Sequence, residues 1–296
     1  MNAAVQAPPR LFDRRRIARQ RARAQDAAQG DASARFLLDH AIKDIVDRLG
    51  FVSRQFTHAL DLGAQDEALG DALQVSGQVE RVTRLGPAGT GASWVRGDEE
   101  VLPFAPASFD LVVSALTLHT VNDLPGTLVQ VRRALKPDGL FLALLPGAGT
   151  LAELRDSLAA AEAELRGGAA MRVAPFVEVR DAGALLQRAG FALPVADLDP
   201  LRVRYDTPFG LLRDLQAMGA TNPLIEREPL RRSVLARAAE IYAEGADPDG
   251  RIPASFNLVS LSGWAPHESQ QKPLRPGSAK TRLADALGAE ERPLKN

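Results

Sequence analysis

The sequence predicts an α/β fold around a mostly parallel sheet, and three observations carry that expectation. Phe109–Ala115 and Leu140–Leu145 are short apolar runs with no charge beyond Asp110, which is how strands covered on both faces read. Between them lies a helical stretch whose apolar face is Leu124, Leu128, Val131 and Leu135, so the segment reads as a right-handed strand–helix–strand unit. Nearer the start, an apolar strand ends at Asp61, Gly63 allows a tight turn, and a helix runs toward Leu73. A strand, glycine turn and helix at the head of such an array is the usual seat of a nucleotide-type ligand.

Taken in order, residues 1–30 are polar, with seven Arg and one Asp at positions 10–25. No apolar stretch follows these charges, so a secretory signal is not expected. The expectation is a solvated helix, with an RNA- or partner-binding arm as the alternative. Ser33–Leu49 repeats apolar residues at Leu37/Leu38, Ala41/Ile42, Ile45/Val46 and Leu49, which is helical spacing. After Gly63, Gln65 and Glu67 stand where a cofactor loop carries further glycines. Glu67 would repel a ligand anion if it pointed inward.

Val79–Leu85 reads as a second strand, but no acidic residue ends it to meet ribose hydroxyls. Residues 86–91 read as a plain turn and Ser93–Arg96 as a short third strand leading to Asp98 and Glu99. Asn122 or Asp123 caps the helix before Leu140, and Pro137 and Gly139 close it. Further helices are expected at Leu151–Leu165, Asp181–Ala189, Pro208–Met218 and Pro229–Ala243. Val195–Tyr205 alternates like an edge strand and Ala254–Trp264 like a closing one, with Trp264 in the core. The tail from His267 is polar and reads as extended or disordered. The domain plan is thus an Arg-rich extension at 1–32, one domain at 33–266 with a helical insertion at about 206–245, and a tail at 267–296.

Composition narrows the function. With 36 basic and 37 acidic residues, no global field argues for nucleic acid or membrane. The absence of cysteine removes disulfides and thiolate chemistry, and the four His never fall at zinc-ligand spacing, so no metal site is expected. No apolar run approaches the roughly 20 residues of a membrane helix, so no integral membrane segment is expected.

Strand–DxG–helix, then GDEEVLPFAPASFDLVVS and LKPDGLFLALLP, resembles the class I S-adenosylmethionine-dependent methyltransferase fold over roughly residues 33–146. That resemblance implies a Rossmann-like, mostly parallel seven-stranded sheet with an antiparallel last strand and a helical insertion before it. A narrower resemblance covers nearly the whole chain. LFDRRR at 11–16, LTLHTVNDLPGTLVQVRRALKPDG at 116–139, LLRDLQAMGATN at 211–222 and GWAPHESQQKPLRPGSA at 263–279 look like the complex I assembly factor that hydroxylates an arginine. The malonyl-carrier-protein methyltransferase of biotin synthesis is the nearest competing family.

The narrower resemblance implies a protein that binds S-adenosylmethionine and hydroxylates an arginine of an Fe–S subunit of NADH:quinone oxidoreductase. In the absence of a targeting signal a cytoplasmic location is expected, and the resemblance adds a peripheral place at the inner membrane face through that complex. Methyl transfer to a small or carrier-bound carboxylate is one alternative, and a non-catalytic assembly chaperone is another. Carried over by position, the cofactor-binding residues are Asp61, Gly63, Asp98, Glu99 and Leu116. His119, just past the fourth strand, is the candidate catalytic base. Asp214, Asn222, His267, Glu268, Ser269 and Gln270 lie in the family-specific segments, whose carboxylates would suit a guanidinium.

Overall fold

The computed structural model describes residues 10–28, 35–87 and 89–270. They form two units, one running to Pro266 and a second beginning at His267. In the first unit, α1 (Arg14–Ala28) and α2 (Phe36–Gly50) precede β1 (Phe56–Leu62), α3 (Ala68–Val75), β2 (Val79–Gly86) and β3 (Trp94–Arg96). Then come β4 (Phe109–Ala115), α4 (Leu124–Ala134), β5 (Leu135–Pro146), α5 (Ala152–Arg166) and α6 (Val179–Arg188). The unit closes with β6 (Ala192–Tyr205), α7 (Pro208–Ala217), α8 (Arg232–Glu244) and β7 (Ile252–Trp264).

The seven strands lie in the order β3-β2-β1-β4-β5-β7-β6, and only β7 runs antiparallel to its neighbours. This is the predicted class, with β6 at the edge as its alternation suggested. Each face of the sheet carries its own core, and the strands feed both by alternation. Leu140, Leu142 and Leu144 of β5 face α2, α5 and α8, whereas Phe141, Ala143 and Leu145 face α4 and α6. In β4, Leu111 and Val113 face the first side and Val112 the second. Phe109 breaks that alternation because the register slips between Phe109 and Leu111.

The same slip overturns one expectation. Leu135 pairs with Phe109 and Leu140 with Leu111, so residues 136–139 of β5 stand opposite Asp110 alone. Pro137 and Gly139 therefore sit in the strand and do not close α4, which ends at Ala134. Pro137 has no N–H to offer a ladder and is tolerated where pairing is interrupted. Asp138 takes a left-handed φ of 60° and meets Arg54 Nη1 at 2.8 Å. Trp264 is partly buried against the first core, with the Arg54 guanidinium 6.0 Å from its ring centre.

The N-terminal arginine helix is not the solvated element its composition suggested. Ile17 and Arg21 of α1 are buried, and the chain before it is stitched to the loop after α7. Asp13 N donates to Pro223 O at 2.9 Å, and Ile225 N donates to Leu11 O at 3.0 Å. Asp13 Oδ1 accepts from Arg16 N at 3.0 Å and so starts the helix. Among the described residues, no helix is long and apolar enough to cross a membrane.

Candidate functional site

The sheet order reverses between β1 and β4, and the carboxyl ends of these strands form the crevice where such sheets take ligands. The turn after β1 is shaped by Gly63, whose φ of 83° suits glycine. Its N–H and that of Ala64 both donate to Leu85 O at 2.8 Å, which folds the turn back over β2. A Cβ at Gly63 would collide with Thr117 Oγ1 and Glu99 Oε1, so backbone approach here is reserved for small groups. Ser114 and Thr117 hold the crossing from the β4 side, both donating to Leu62 O, at 2.8 and 3.3 Å.

Asp61 lies below this turn, buried, with Oδ2 lacking any hydrogen-bond partner among the described residues. Burial pushes its carboxyl up to about 8, with Arg84 pulling it down and Asp66 adding to the rise. At neutral pH such a carboxyl keeps its proton, and it can pair with a cationic group only after losing it. Glu67, by contrast, is exposed on the outer side of the turn, and only its carbonyl is used, accepting from Arg84 Nη2. The anticipated repulsion from this side chain therefore does not arise. Gln65 turns inward, with Nε2 3.3 Å from Ala115 O.

Asp98 and Glu99 follow β3 as expected, but both are met by α1. Arg14 Nη2 contacts Asp98 Oδ1 at 2.8 Å, Nε lies 3.1 Å from Asp98 Oδ2, and the same guanidinium pairs with Glu99. Arg21 Nη1 reaches the other oxygen of Glu99 at 2.5 Å. Glu99 is thus a buried anion between two arginines, which hold its carboxyl below the ordinary range against the cost of burial. The Asp98 side chain keeps 41% of its surface exposed against 2% for Glu99. Only Asp98 therefore retains a free face for a ligand.

Asn122 also departs from its expected role. Asp123 alone caps α4, its Oδ1 accepting from Gly126 N at 2.8 Å. Asn122 Oδ1 accepts from the backbone N–H of Leu11 and of Phe12, each at 2.8 Å, and so fastens the strand entering α1.

A cavity of about 700 Å³ opens beside this crevice, within the range typical of small-molecule sites. One wall is α1 with Arg16, Gln20 and Arg21, and another is the loop from Met218 to Asn222 after α7. Gly219 brings the two walls together, since a Cβ there would lie 3.1 Å from Gln20 O. Of the sequence-predicted residues, Leu116, His119 and Asn222 line this cavity; Asp61, Gly63, Asp98, Glu99 and Asp214 do not. Leu116 holds a left-handed φ of 57° where β4 leaves the sheet. His267, Glu268, Ser269 and Gln270 belong to the second unit, where His267 Nδ1 meets Ser269 Oγ at 2.6 Å.

His119 presents a partly buried imidazole to the cavity, 6.0 Å from the Phe176 ring, and its Nδ1 has no partner among the described residues. Burial, with Arg21 and Arg14 nearby, lowers it to about 3, so the ring is neutral throughout the physiological range. Among the described residues, no three His, Asp or Glu side chains group as a metal site.

Sequence reasoning missed Arg14 and Arg21, although the LFDRRR motif holding the first had been singled out. A run of arginines carries no mark of which members face a buried glutamate across the fold.

Comparison with known proteins agrees with this fold. Residues 70–143 match the family model described as Methyltransferase domain. The YcgJ protein of Bacillus subtilis superposes with a TM-score of 0.52 at 14% identity, covering 77% of this chain and 99% of its own, a likeness of fold alone. Malonyl-[acyl-carrier protein] O-methyltransferase of Xylella fastidiosa is 32% identical over 86% of this chain and 89% of its own length. Arginine-hydroxylase NDUFAF5 of Danio rerio, a mitochondrial protein, is 39% identical over 84% of this chain and 81% of its own length. With the class I methyltransferase fold and that extent of identity, the chain belongs to the arginine-hydroxylase NDUFAF5 family.

Proposed function

We propose that this chain hydroxylates an arginine side chain of an Fe–S subunit of NADH:quinone oxidoreductase during assembly of that complex. The observation that carries the reading is His119: a neutral imidazole with an unpartnered Nδ1, on a cavity walled by the family-specific loop after α7. A neutral ring can accept an N–H from a guanidinium without becoming a second cation. The aliphatic stem of the substrate would lie along Leu154, Leu215 and Phe176 of the cavity wall. In a strain lacking this chain, mass spectrometry of the Fe–S subunit is expected to find the target arginine lighter by one oxygen atom. An arginine that keeps its oxygen in that strain would refute the assignment.

S-adenosylmethionine fits the crevice at its methionine end. The unpartnered Asp61 Oδ2 would take the ammonium group, and the turn at Gly63 would carry the chain past it. Asp98, with its free face, would accept from the exocyclic amine, whereas Glu99 anchors α1. When bound, this cofactor supplies an electrophilic methyl group. Because the Asp61 carboxyl sits at about 8 in the free protein, it must lose its proton to receive the ammonium. Affinity for the cofactor is therefore expected to rise from pH 6 to about pH 8 and to fall above it, as the ligand's α-amino group, with an ordinary pKa of about 8, loses its charge. Calorimetric titration of Asp61→Asn should show weaker binding with that rise removed; an unchanged rise would place the titrating group elsewhere.

One observation favours a second reading. Arg16 and Arg227 line the cavity without a carboxylate partner among the described residues, and guanidinium groups suit a carboxylate substrate such as a malonyl group on a carrier protein. Methyl transfer to malonyl-carrier protein by the purified chain, with the Fe–S subunit unaltered in the deletion strain, would replace the first reading by this one.

A further inference from the structure

Beside the main cavity lies a second hollow, of about 690 Å³, between α1 and the α7 region. It is lined by Arg16, Arg19, Arg23, Arg213 and Arg227, and by no acidic residue. Among the described residues none of these five guanidiniums is paired with a carboxylate. Arg19 reaches only Arg15 O at 3.4 Å, and Arg16 Nε is buried with no partner. A chain with net charge −1 concentrates five uncompensated positive charges here, which costs self-repulsion unless a ligand offsets it.

Positions 16, 19 and 23 share one face of α1 and span about 10 Å along its axis. Four of the five arginines are exposed, not gathered into a buried cradle. That spread suits successive carboxylates on an extended chain, at about 3.3 Å per residue, better than one compact phosphate. The hollow also shares Arg16, Gln20, Thr221 and Arg227 with the main cavity, so a polypeptide lying in it could feed one residue inward.

We propose that this hollow is the docking site for an acidic segment of the polypeptide substrate, next to the residue that enters the main cavity. The proposal rests on the reading of that cavity as a site for a protein side chain. Its test uses binding alone, so failure of hydroxylation would count against the activity and not against this surface.

The full chain is titrated into a fluorescein-labelled short poly-glutamate peptide, with anisotropy as the readout. The variant Arg19→Glu/Arg23→Glu/Arg213→Glu changes exposed residues only. It is expected to weaken binding on the order of tenfold or more, with the wild-type affinity falling steeply as salt rises. The control Arg81→Glu/Arg155→Glu/Arg188→Glu carries the same charge change on other exposed positions and should bind nearly as wild type. Circular dichroism checks that both variants fold. Equal weakening in both variants, or no binding at all, would overturn the proposal. So would complete displacement of the peptide by equimolar inorganic phosphate, which would mark a compact anion site.

Discussion

Arg21→Met is expected to lower the free energy of unfolding by about 3–5 kcal/mol, the usual cost of stranding one partner of a buried ion pair. Glu99 is almost fully buried, and its two oxygens are divided between Arg21 and Arg14. Without Arg21, a carboxylate remains out of water with half its partners. Adding Glu99→Gln to Arg21→Met should recover a large part of the loss, because the desolvated charge then disappears. Urea unfolding of the two single variants and the double variant measures the coupling. If Arg21→Met unfolds at the wild-type midpoint, α1 is not held by this pair.

The same cluster sets an acid limit. The folded Glu99 carboxyl lies below its ordinary 4.5, so its contribution is present above that value. As pH falls through the lower folded value, both states bind the proton and the contribution is lost. The Glu99→Gln variant should therefore lose less stability on acidification than wild type.

The second large effect concerns His119. His119→Ala is expected to reduce the proposed hydroxylation by at least about 10²-fold, the scale of a substrate held out of position by one lost contact. The loss should fall on turnover. No hydrogen bond at Nδ1 is broken, so the stability change should be limited to the packing lost against Phe176. With its pKa lowered to about 3, His119 stays neutral between pH 5 and 8 and should impose no inflection on the pH–rate profile there. Undiminished oxygen insertion by the variant would remove His119 from the reaction and leave it a wall of the cavity.

How much of this was legible depends on range. The strands were visible because burial on both faces leaves a local signature: β4 was read at its observed limits from an apolar run alone. The register slip at Phe109 was not, since the sequence shows Pro137 and Gly139 as breakers and not that a neighbouring strand can absorb them as a bulge. The superfamily pattern placed Asp61, Gly63, Leu116 and His119 at or just past the ends of β1 and β4, and that is where the structure has them. Arg14 and Arg21 were hidden because their partner, Glu99, is a long way along the chain.

The sequence by itself determined the sheet, its edge strand and the residues at the carboxyl ends, because period and burial act over a few neighbouring positions. Only the tertiary structure decided what those residues meet. Docking of α1 converts Glu99 from an expected ligand contact into an anchor, leaves Asp98 one open face, and keeps His119 uncharged beside two arginines. Each of these outcomes is electrostatic, and it is set by distance and burial across the fold, not by order along the chain.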